Sequence, residues 1–383
     1  GAATAWEIMA KSFEQYGERN ALGARALKKR EMEPDEKSGK AFEKLTYADA
    51  YDWVTYAELE KQTAALAAGL VKVAGLKPGA KVLIFAETQR DWMVTALACW
   101  RQGATVVTAY ATLGEEGVSS AGNQTGAAVC VCDGKLFKTL AKAAKLPMRD
   151  LKLVVPIMPA DCEDTTGDQL TVDAMKEQLP SGVAVTPFTE VLAAGADAPC
   201  DPSPAGPTTH AVIMYTSGTT GGSKGVRITH RNIAAMCASN SKVMSFIGPD
   251  EVYLSYLPLA HIMELETELW LLGLGASMGY GSPHTLTDSG VKLKNPPAPA
   301  PPTQRGDAPT LAPTVMLFAP AVLDKVYAAV QRKMDSALKK YIFDSALGVG
   351  YANFEKGGHG CGVLYNAVVM KKVQALIGGR VKF

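Results

Sequence analysis

Apolar runs and helix-like segments alternate in the first half of the chain, and this alternation restricts the fold more than any other feature of the sequence. The run 82–85 predicts a buried strand, residues 91–102 predict a helix, and residues 104–108 predict a second strand. The apolar runs 129–132 and 151–156 extend the series. A strand-helix-strand order is typical of parallel sheets, because each crossover places a helix on the sheet. We therefore predict an α/β fold with mostly parallel sheets flanked by helices.

A loop rich in glycine and hydroxyl groups follows the apolar run 211–214. Residues 215–226 read YTSGTTGGSKGV. Glycine brings the backbone close to a ligand because it has no Cβ, and successive N–H groups form a concavity that binds anions. A lysine adds a point charge suited to phosphate. The sequence therefore predicts phosphate binding by Thr216, Ser217, Gly218, Thr219, Thr220, Gly221, Gly222, Ser223, Lys224 and Gly225.

An ordinary surface turn is the simpler interpretation of this loop, because glycine, serine and threonine gather wherever a chain turns. Its context favours phosphate binding: a strand-like run precedes it, and a helix-like segment follows Thr229, which is a suitable N-cap. The loop does not fit the GxxxxGK[ST] pattern of the P-loop NTPases. Ser223 stands in place of the second glycine, and Gly225 in place of the hydroxyl residue that binds the metal. A GTPase or ATPase of that class is therefore disfavoured.

Further motifs lie on both sides of the loop in a fixed order. They are WVTY (53–56), ETQRDW (87–92), YATLG (110–114), the glycine loop (215–226), SYLPLAH (255–261) followed by Glu264, TLTD (285–288), PTVM (313–316) and PAVLDKV (320–326). Together they resemble the motifs of the long-chain acyl-CoA synthetases, a subgroup of the adenylate-forming enzymes. The resemblance covers most of the chain from residue 53 onwards, and several ordered motifs are far more specific than one glycine loop.

The resemblance implies a reaction in two steps. A fatty carboxylate attacks the α-phosphate of ATP and releases pyrophosphate, and the thiolate of coenzyme A then displaces AMP from the acyl-adenylate. Activation is needed because oxide is a poor leaving group, whereas AMP leaves readily from the mixed anhydride. Attack on a polyanion requires charge neutralisation by Mg²⁺ and preorganised donors. By this resemblance, the β- and γ-phosphates are held by the loop amides and the side chains of Thr216, Ser217, Thr219, Thr220 and Lys224.

His261, at the end of the SYLPLAH motif, is the candidate catalytic residue. A lone histidine after an apolar run is more often a packed, hydrogen-bonded side chain than a catalytic group. Glu264 lies three residues further on and would share a helix face with it, but no second histidine completes a zinc site, so we predict no metal ligand. In the family that the chain resembles, the matching histidine lies beside the acyl and adenylate pocket. We therefore expect His261 to line or gate a pocket.

Residues 269–279 mix large apolar side chains with small ones. Small residues either leave room for an acyl chain or permit close packing, and the sequence leaves both interpretations open. The resemblance favours the wall of an acyl tunnel. The segment is too short for a membrane span, which needs about 20 predominantly apolar residues.

Composition excludes some partners. The 383 residues carry a net charge of +1, which gives no basic field for a nucleic acid. The seven cysteines lack paired zinc spacing, and Cys130 and Cys132 alternate within an apolar run. We therefore expect core thiols in a reducing, intracellular compartment. The resemblance to long-chain enzymes keeps peripheral attachment to the endoplasmic reticulum or a plastid membrane open, and the oligomeric state stays open too.

Two segments predict loops, and the C-terminal part predicts helices. Residues 28–44 are rich in charge and predict a solvated loop or insertion. Residues 295–313 are dense in proline, which disfavours a helix or a central strand, so we predict a solvated insertion of extended character. Helical spacing returns over 319–340 and 365–377, and residues 380–383 predict the start of a strand.

These features predict an N-terminal segment, 1–44, and an AMP-binding (adenylation) domain, 45–383, that carries the insertion. The resemblance implies that relatives continue with a metal-associated glutamate, a ribose-binding aspartate and a small domain with a catalytic lysine. We therefore expect the N-terminal part of a long-chain fatty-acid:CoA ligase, incomplete at its C-terminus, without the small domain and inactive alone, since its metal and coenzyme A sites need the missing part. A truncated nucleotide- or acyl-binding protein without turnover, and a ligase for a shorter or aromatic acid, are alternatives.

Overall fold

The structure, a computed structural model, describes residues 1–34, 39–146, 148–168, 170–216, 224–296, 300, 302–332, 336–358 and 360–382. Its strands are β1 (Asn20–Ala24), β2 (Leu27–Pro34), β3 (Ala41–Tyr47), β4 (Asp52–Thr55), β5 (Lys81–Phe85), β6 (Thr105–Ala109), β7 (Val129–Asp133), β8 (Leu153–Ile157), β9 (Glu163–Asp164), β10 (Ala184–Val185), β11 (His210–Thr216), β12 (Lys224–Thr229), β13 (Val252–Ser255) and β14 (Ser277–Tyr280).

The helices begin close to the N-terminus and recur between the strands. They are α1 (Ala5–Tyr16), α2 (Tyr56–Ala74), α3 (Arg90–Arg101), α4 (Glu115–Thr125), α5 (Phe137–Lys145), α6 (Val172–Gln178), α7 (Phe188–Ala196), α8 (His230–Val243), α9 (Ile262–Gly273), α10 (Asp307–Leu311), α11 (Pro320–Arg332), α12 (Ala337–Glu355), α13 (Val363–Tyr365) and α14 (Lys371–Ala375). A π-helical turn, Asn366–Met370, joins α13 to α14.

The described strands form sheets of seven, four and three strands, and most neighbours are parallel. The largest sheet has the order β10-β8-β7-β5-β6-β11-β12, in which only the β11–β12 pair is antiparallel. The second has the order β13-β14-β1-β4, and the third β3-β2-β9. The predicted α/β fold with mostly parallel sheets is therefore confirmed.

The central strands of the large sheet are buried on both faces. In β5, Val82 and Ile84 pack into one apolar cluster, whereas Leu83 and Phe85 pack into another on the opposite face. Because helices cover both faces, these strands are continuous apolar runs without polar alternation. This explains why the strands β5 to β8 and the helix α3 are visible in the sequence.

The two cysteines of β7, in the large sheet, are core residues, as predicted. Cys130 and Cys132 lie on β7 and are fully buried. Burial raises the pKa of both thiols because it disfavours the charged thiolate. These thiols are therefore packing groups rather than nucleophiles.

Two glycines allow α2 and α7 to touch through their backbones. A Cβ on Gly195 would lie 1.8 Å from the carbonyl oxygen of Ala65, and a Cβ on Gly69 would lie 1.9 Å from that of Val191. Helices approach this closely only where no side chain separates them. The contact fixes α7 against α2 on one face of the large sheet.

The charged segment 28–44 is not the solvated loop that its composition predicts. Its described residues belong to β2 and β3, which pair antiparallel. Arg30 on β2 forms ion pairs with Glu43 at 2.6 Å and with Asp164 on β9 at 3.0 Å. The loop prediction is wrong because opposite charges on neighbouring strands stabilise a sheet, and composition does not show that pairing. Residues 35–38 lie outside the described residues.

The proline-dense segment 295–313 is a solvated insertion only in part. Its second half contains α10 and is buried at Gln304, Asp307 and Ala308. Pro309 lies in the first turn of α10, where a missing N–H removes no helical hydrogen bond. The prediction of an extended, solvated segment is therefore wrong for residues 304–311, while residues 297–299 and 301 lie outside the described part.

The C-terminal segment is helical as its spacing predicts, with different boundaries. The helical spacing of 319–340 corresponds to α11 and the start of α12, and residues 333–335 between them lie outside the described part. The second helix begins earlier than predicted, at Val363. Gly378 and Gly379 end it with positive φ. Residues 380–382 form no strand, although the Lys382 N–H donates to the Thr314 carbonyl at 2.8 Å.

The N-terminal helix and strand pack onto the main core. Met9 and Phe13 of α1 and Leu22 of β1 join the largest apolar cluster of the described residues. β1 pairs with both β4 and β14. The domain boundary at residue 45 stays a prediction.

Candidate functional site

One edge of the large sheet collects several of the sequence motifs. β5, β6, β7 and β11 are parallel, so their carboxyl ends meet at the same edge. The ETQRDW motif follows β5, the YATLG motif follows β6, and the glycine loop follows β11. In open α/β sheets, ligands bind outside the carboxyl ends of the strands. This edge is therefore the candidate active site.

The glycine loop connects two antiparallel neighbours. Thr216 at the end of β11 lies opposite Lys224 at the start of β12, and Tyr215 lies opposite Gly225. Thr216, Lys224 and Gly225 are exposed. The other predicted phosphate ligands, residues 217–223, lie outside the described residues, so their phosphate contacts stay predictions.

Gly225 has a packing role beside its predicted role in the loop. A Cβ at this position would lie 3.1 Å from the Ile213 side chain and 3.3 Å from the Tyr215 ring. A side chain here would press on both neighbours in β11. Glycine therefore lets β12 lie flat beside β11 at the entrance of the loop.

The strand after the loop was not foreseen by the sequence reasoning, which placed only a helix beyond Thr229. That helix, α8, begins with a capping box: the Thr229 hydroxyl accepts the Asn232 N–H at 3.2 Å, and the Asn232 side chain accepts the Thr229 N–H at 3.0 Å. The alternation of Val226 and Ile228 with polar residues was the available strand signal. A strand-loop-strand connection separates this site further from the P-loop NTPases, whose loop leads into a helix.

Two threonine hydroxyls form hydrogen bonds that hold the SYLPLAH segment at the same edge of the large sheet. The Thr88 hydroxyl donates to the Leu257 carbonyl at 2.6 Å and accepts the Leu259 N–H at 2.8 Å. The Thr108 hydroxyl donates to the Ala260 carbonyl at 3.3 Å. Thr88 follows β5 and Thr108 lies on β6, so residues 257–260 lie across the ends of these two strands.

The fold therefore brings the glycine loop and the SYLPLAH segment to neighbouring strands. β6, which carries Thr108, pairs in parallel with β11, and Val107 lies opposite Ile213. β11 runs from there into the loop. Residues that are separated by about forty positions in sequence thus meet at one edge, which no local pattern reveals.

The ETQRDW motif is held at this edge by a buried carboxylate. Asp133, the last residue of β7, accepts the Glu87 N–H at 2.8 Å and also accepts a hydrogen bond from the Gln89 side chain. Burial raises the pKa of Asp133 to about 6. Lys135 forms an ion pair with Glu87 at 2.5 Å. Asp133 and Lys135 were missed in the sequence, where a single acid after a strand carries little signal.

His261 is the N-cap of α9. Its Nδ1 accepts the Met263 N–H at 3.2 Å, and its side chain is exposed. Glu264 does not share a site with it, contrary to the helix-face expectation, because Glu264 is buried against β13 and accepts the Tyr253 hydroxyl at 2.8 Å. A pocket or gating role for His261 stays a prediction, and the structure gives the residue a capping role.

This capping role predicts different effects for two substitutions at position 261. His261→Ala removes the acceptor for the Met263 N–H, and we expect it to lower the free energy of unfolding by about 1 kcal/mol. His261→Asn keeps a capping acceptor and should retain most of the stability. Urea-induced unfolding of both variants measures this difference. Equal stabilities would show that the cap contributes nothing, whereas a change in KM for the acid in both variants would support the pocket role.

A pair of buried carboxylates lies behind the SYLPLAH segment. Glu264 and Glu268 are one turn apart on α9, and both side chains are fully buried. Glu268 accepts the Tyr280 hydroxyl at 2.8 Å and also accepts the Ser255 hydroxyl. Within the described part, Glu264 Oε1 has no hydrogen-bond partner. Burial raises the pKa of Glu264, and it raises that of Glu268 to about 7.

The sequence reasoning missed Glu268, although a signal was present. Glu264 and Glu268 are four residues apart, and they directly precede the apolar run 269–272 of the same helix. Desolvation disfavours the charge of buried carboxyls such as these, so they keep their protons to a higher pH than exposed ones. Their hydroxyl partners come from β13 and β14, so the pair joins α9 to the four-stranded sheet.

The buried pair contributes stability that is greater in mild acid than at neutral pH. Since the pKa of Glu268 is about 7 when folded and 4.5 normally, the folded state binds more protons than the unfolded state between these values. The free energy of unfolding should therefore fall as pH rises through about 7. Glu268→Gln keeps the shape without the titration and should remove its share of this slope. What remains is the part due to the other buried carboxyls with raised pKa values, Glu264, Asp133 and Asp307, opposed by His230, whose pKa is lowered by burial to about 4.

Chemical unfolding between pH 5 and pH 8 measures the slope. The exposed Glu60→Gln on α2 is the matched control and should keep the wild-type profile. A Glu268→Gln profile that superimposes on the wild type would contradict the assignment of the titration to Glu268.

The small residues of 269–279 serve close packing. A Cβ on Gly273 would lie 2.8 Å from Ile8, one on Gly275 would lie 2.7 Å from Tyr16, and one on Gly279 would lie 2.5 Å from Leu311. The space beside these glycines is thus occupied by neighbouring side chains. The tunnel-wall interpretation is wrong at these three positions.

Comparisons with known proteins identify the family of the chain. The chain matches the family model described as AMP-binding enzyme over residues 35–378. It is 34% identical to long chain acyl-CoA synthetase 8 of Arabidopsis thaliana and 30% identical to long-chain-fatty-acid–CoA ligase 2 of Schizosaccharomyces pombe. These alignments cover 100% of this chain but 51% and 54% of the two relatives. The chain thus spans about half the length of the curated relatives it matches.

Solved structures show the same fold. The A domain of the carboxylic acid reductase from Segniliparus rugosus, in complex with AMP and a co-purified carboxylic acid, superimposes with a TM-score of 0.72 at 20% identity, covering 99% of this chain and 55% of that one. A long-chain-fatty-acid-CoA ligase from Archaeoglobus fulgidus gives a TM-score of 0.59 at 17% identity, covering 86% and 54%. The sheet order, the motif-bearing edge and the match over residues 35–378 lead to one conclusion: the chain belongs to the AMP-binding enzyme family, with the fold of its adenylation domains.

Proposed function

We propose that this chain is the nucleotide-binding and acid-activating part of a long-chain fatty-acid:CoA ligase. The observation that carries the proposal is the meeting of the glycine loop and the SYLPLAH segment at one sheet edge. Membership of the AMP-binding family supports ATP as the nucleotide. The names of the relatives from Arabidopsis thaliana and Schizosaccharomyces pombe support a long-chain fatty acid and coenzyme A as the other substrates.

In this proposal, the end of the β11–β12 pair, where the glycine loop begins and ends, binds the phosphates of ATP. The Thr216 hydroxyl and the Lys224 ammonium group lie on opposite strands where the loop begins and ends. Hydroxyl and amide donors orient phosphate oxygens, and the lysine offsets their charge. The loop thereby stabilises the leaving pyrophosphate while the acid carboxylate attacks the α-phosphate.

The segment 257–260 would form the other wall of the reacting centre. Its backbone is held by Thr88 and Thr108, so its position at the ends of β5 and β6 is fixed before substrate binds. Preorganisation of this kind lowers the entropic cost of bringing reactants together. His261, at the end of the segment, would then contact the acid or the adenylate.

Mg²⁺ supplies charge neutralisation in reactions of this class when it is bound. Among the described residues, no group of three or more His, Cys, Asp or Glu side chains is arranged to hold a metal ion. We therefore assign no step to the metal.

Acid-dependent pyrophosphate exchange tests the proposal. The chain and a longer form that carries the rest of the fold are each incubated with ATP, labelled pyrophosphate and one acid, from acetate and benzoate to palmitate. Exchange that is strongest with palmitate supports a long-chain ligase. Exchange that is strongest with acetate or benzoate favours the alternative of a ligase for a shorter or aromatic acid.

The alternative of a nucleotide- or acyl-binding protein without turnover has its own outcome in the same experiment. A binding protein would retain ATP in equilibrium dialysis but show no exchange in either form. Pyrophosphate exchange by the longer form, with no exchange by the 383-residue chain, would instead support the proposal that the chain is a fragment of a ligase.

Membrane association belongs to the same proposal, because long-chain acids partition into bilayers. No helix among the described residues is long and apolar enough to cross a membrane. We propose peripheral attachment in a reducing, intracellular compartment, to the endoplasmic reticulum or a plastid membrane.

A further inference from the structure

Asp133 is a buried acid at the end of a strand that otherwise consists of valine and cysteine. Only 6% of the residue is exposed. Its strand, β7, lies between β5 and β8: Cys132 is opposite Phe85, and Asp133 is opposite Ile157. Burial of a carboxyl group costs free energy unless the group is hydrogen-bonded. The hydrogen-bond partners of Asp133 therefore indicate its role.

Two hydrogen bonds connect Asp133 to the turn that joins β5 to α3. Its Oδ2 accepts the Glu87 N–H at 2.8 Å, and its Oδ1 accepts a hydrogen bond from the side-chain amide of Gln89. Thr88 lies between these two residues, so Asp133 holds the turn on either side of the threonine. The end of a buried strand thereby fixes the place of the Thr88 hydroxyl.

The Thr88 hydroxyl extends this connection to the SYLPLAH segment. It forms two hydrogen bonds with the backbone of residues 257–259, and the His261 N–H donates to the Pro258 carbonyl at 2.9 Å. Hydrogen bonds and short pieces of backbone thus lead without a gap from Asp133 to His261. We call this series of contacts the Asp133 connection.

The charge of Asp133 is not what these contacts require. Lys135 forms an ion pair with Glu87 at 2.5 Å, whereas the two donors to Asp133 are a backbone amide and a side-chain amide, both neutral. A neutral side chain of the same shape can accept from the backbone amide as the carboxyl group does. Asp133→Asn is therefore the conservative variant that separates position from charge.

We propose that Asp133 is a positioning residue of the acid-activating step. Acting through Thr88, it holds residues 257–261 at the ends of β5 and β6, where this segment forms one wall of the reacting centre. A displacement of about 1 Å at such a wall can lower the rate about a hundredfold, because the reacting groups must be held in an attacking geometry. The inference deepens the proposed function and rests on it for the identity of the reaction.

Amide hydrogen exchange tests the Asp133 connection without turnover, in the 383-residue chain and in its longer form. Asp133→Ala removes both acceptors, and we expect the amides of residues 257–261 to exchange about fivefold faster, the effect of about one lost hydrogen bond. Thr88→Val should produce the same increase, because it removes the hydroxyl of the connection. Asp133→Asn keeps an acceptor for the Glu87 N–H, and the Gln89 amide can turn to accept from the new one. This variant should therefore protect the segment as the wild type does.

Pyrophosphate exchange tests the positioning role, in the form of the protein that shows this activity. Asp133→Ala and Thr88→Val should each lower kcat/KM for the acid by about tenfold to a hundredfold. KM for ATP should stay within about twofold, because the glycine loop follows β11, two strands away from β5. The double variant should be no slower than Thr88→Val alone, because both substitutions break the same series of contacts.

Asp164 provides the matched control. Its side chain is 4% exposed and accepts the Thr166 N–H at 2.8 Å, but it lies on β9 in the three-stranded sheet. Asp164→Ala should change the amide exchange of residues 257–261 and kcat/KM for the acid by less than about twofold. Circular dichroism and thermal unfolding establish that each variant folds. If Asp133→Ala does not fold, Gln89→Met removes one of its two hydrogen bonds and takes its place in both measurements.

Several results would overturn the proposal. They are unchanged amide exchange of residues 257–261 in Asp133→Ala, a double variant whose kinetic losses multiply, and an Asp133→Asn protein as slow as Asp133→Ala, which would assign the effect to the negative charge. Lost amide protection in a protein that shows no pyrophosphate exchange in any form would refute the ligase proposal alone. Pyrophosphate exchange that these substitutions leave unchanged would refute the positioning role alone.

Discussion

Lys224→Ala should slow acid-dependent pyrophosphate exchange by about a hundredfold to a thousandfold, the effect of losing one preorganised donor to a developing charge. The reason lies in the hairpin: Lys224 is the first residue of β12, opposite Thr216, where the glycine loop closes. A lysine beside a phosphate near the surface contributes about 4 kcal/mol before desolvation is subtracted. It therefore accounts for part of the acceleration and not for all of it. The measurement is made in the form of the protein that shows exchange.

Arg227 provides the matched control for this experiment. It is an exposed cation on the same strand, three residues further on, which is about 10 Å along β12. Arg227→Ala should change the exchange rate by less than threefold, because its charge lies away from the loop. If the two variants were equally active, Lys224 would have no special role at the phosphates.

Gly195→Ala should destabilise the fold by about 3 kcal/mol or more, at the upper end of the cost of overpacking. The added Cβ would lie 1.8 Å from the Ala65 carbonyl oxygen and 2.3 Å from the Gly69 nitrogen. Both are backbone atoms, which cannot rotate away as a side chain would. α7 must then shift from α2, and the apolar contacts between them are lost. Urea-induced unfolding, followed by circular dichroism, measures the change.

Gly206→Ala is the control for this second experiment. A Cβ there meets no atom within 4 Å, and the residue does not have a positive φ. We expect its stability to remain within about 0.5 kcal/mol of the wild type. A Gly195→Ala protein as stable as this control would contradict the backbone contact between the two helices.

The parts of the fold that sequence reasoning predicts correctly are those fixed by local patterns. β5 and β7 are continuous apolar runs, and α8 begins at a threonine that caps it. Prediction fails where a distant partner decides the outcome. Arg30 of β2 forms its ion pairs with Glu43 and Asp164, which lie on other strands, and only these pairs make the charged segment a sheet. Asp307 of α10 is buried because Arg25 lies 3.2 Å away.

The candidate site was likewise predicted only in part. Glycine, hydroxyl and lysine spacing indicated the loop that starts at Thr216, because the required residue types are contiguous. The hydrogen bonds of Thr88 and Thr108 join residues more than 150 positions apart, so no pattern in the chain shows them. Glu268 had a weak local signal, but its partners Ser255 and Tyr280 come from two different strands.

The double hydrogen bond of Thr88 limits how a gate at His261 could work. The Thr88 hydroxyl forms hydrogen bonds with the backbone on both sides of Pro258. The His261 N–H itself donates to the Pro258 carbonyl at 2.9 Å. The peptide leading to the histidine therefore cannot swing without breaking several contacts to the sheet. Opening and closing at this point would have to come from rotation of the imidazole about its own side-chain bonds, which needs no hinge but breaks the capping hydrogen bond from the Met263 N–H.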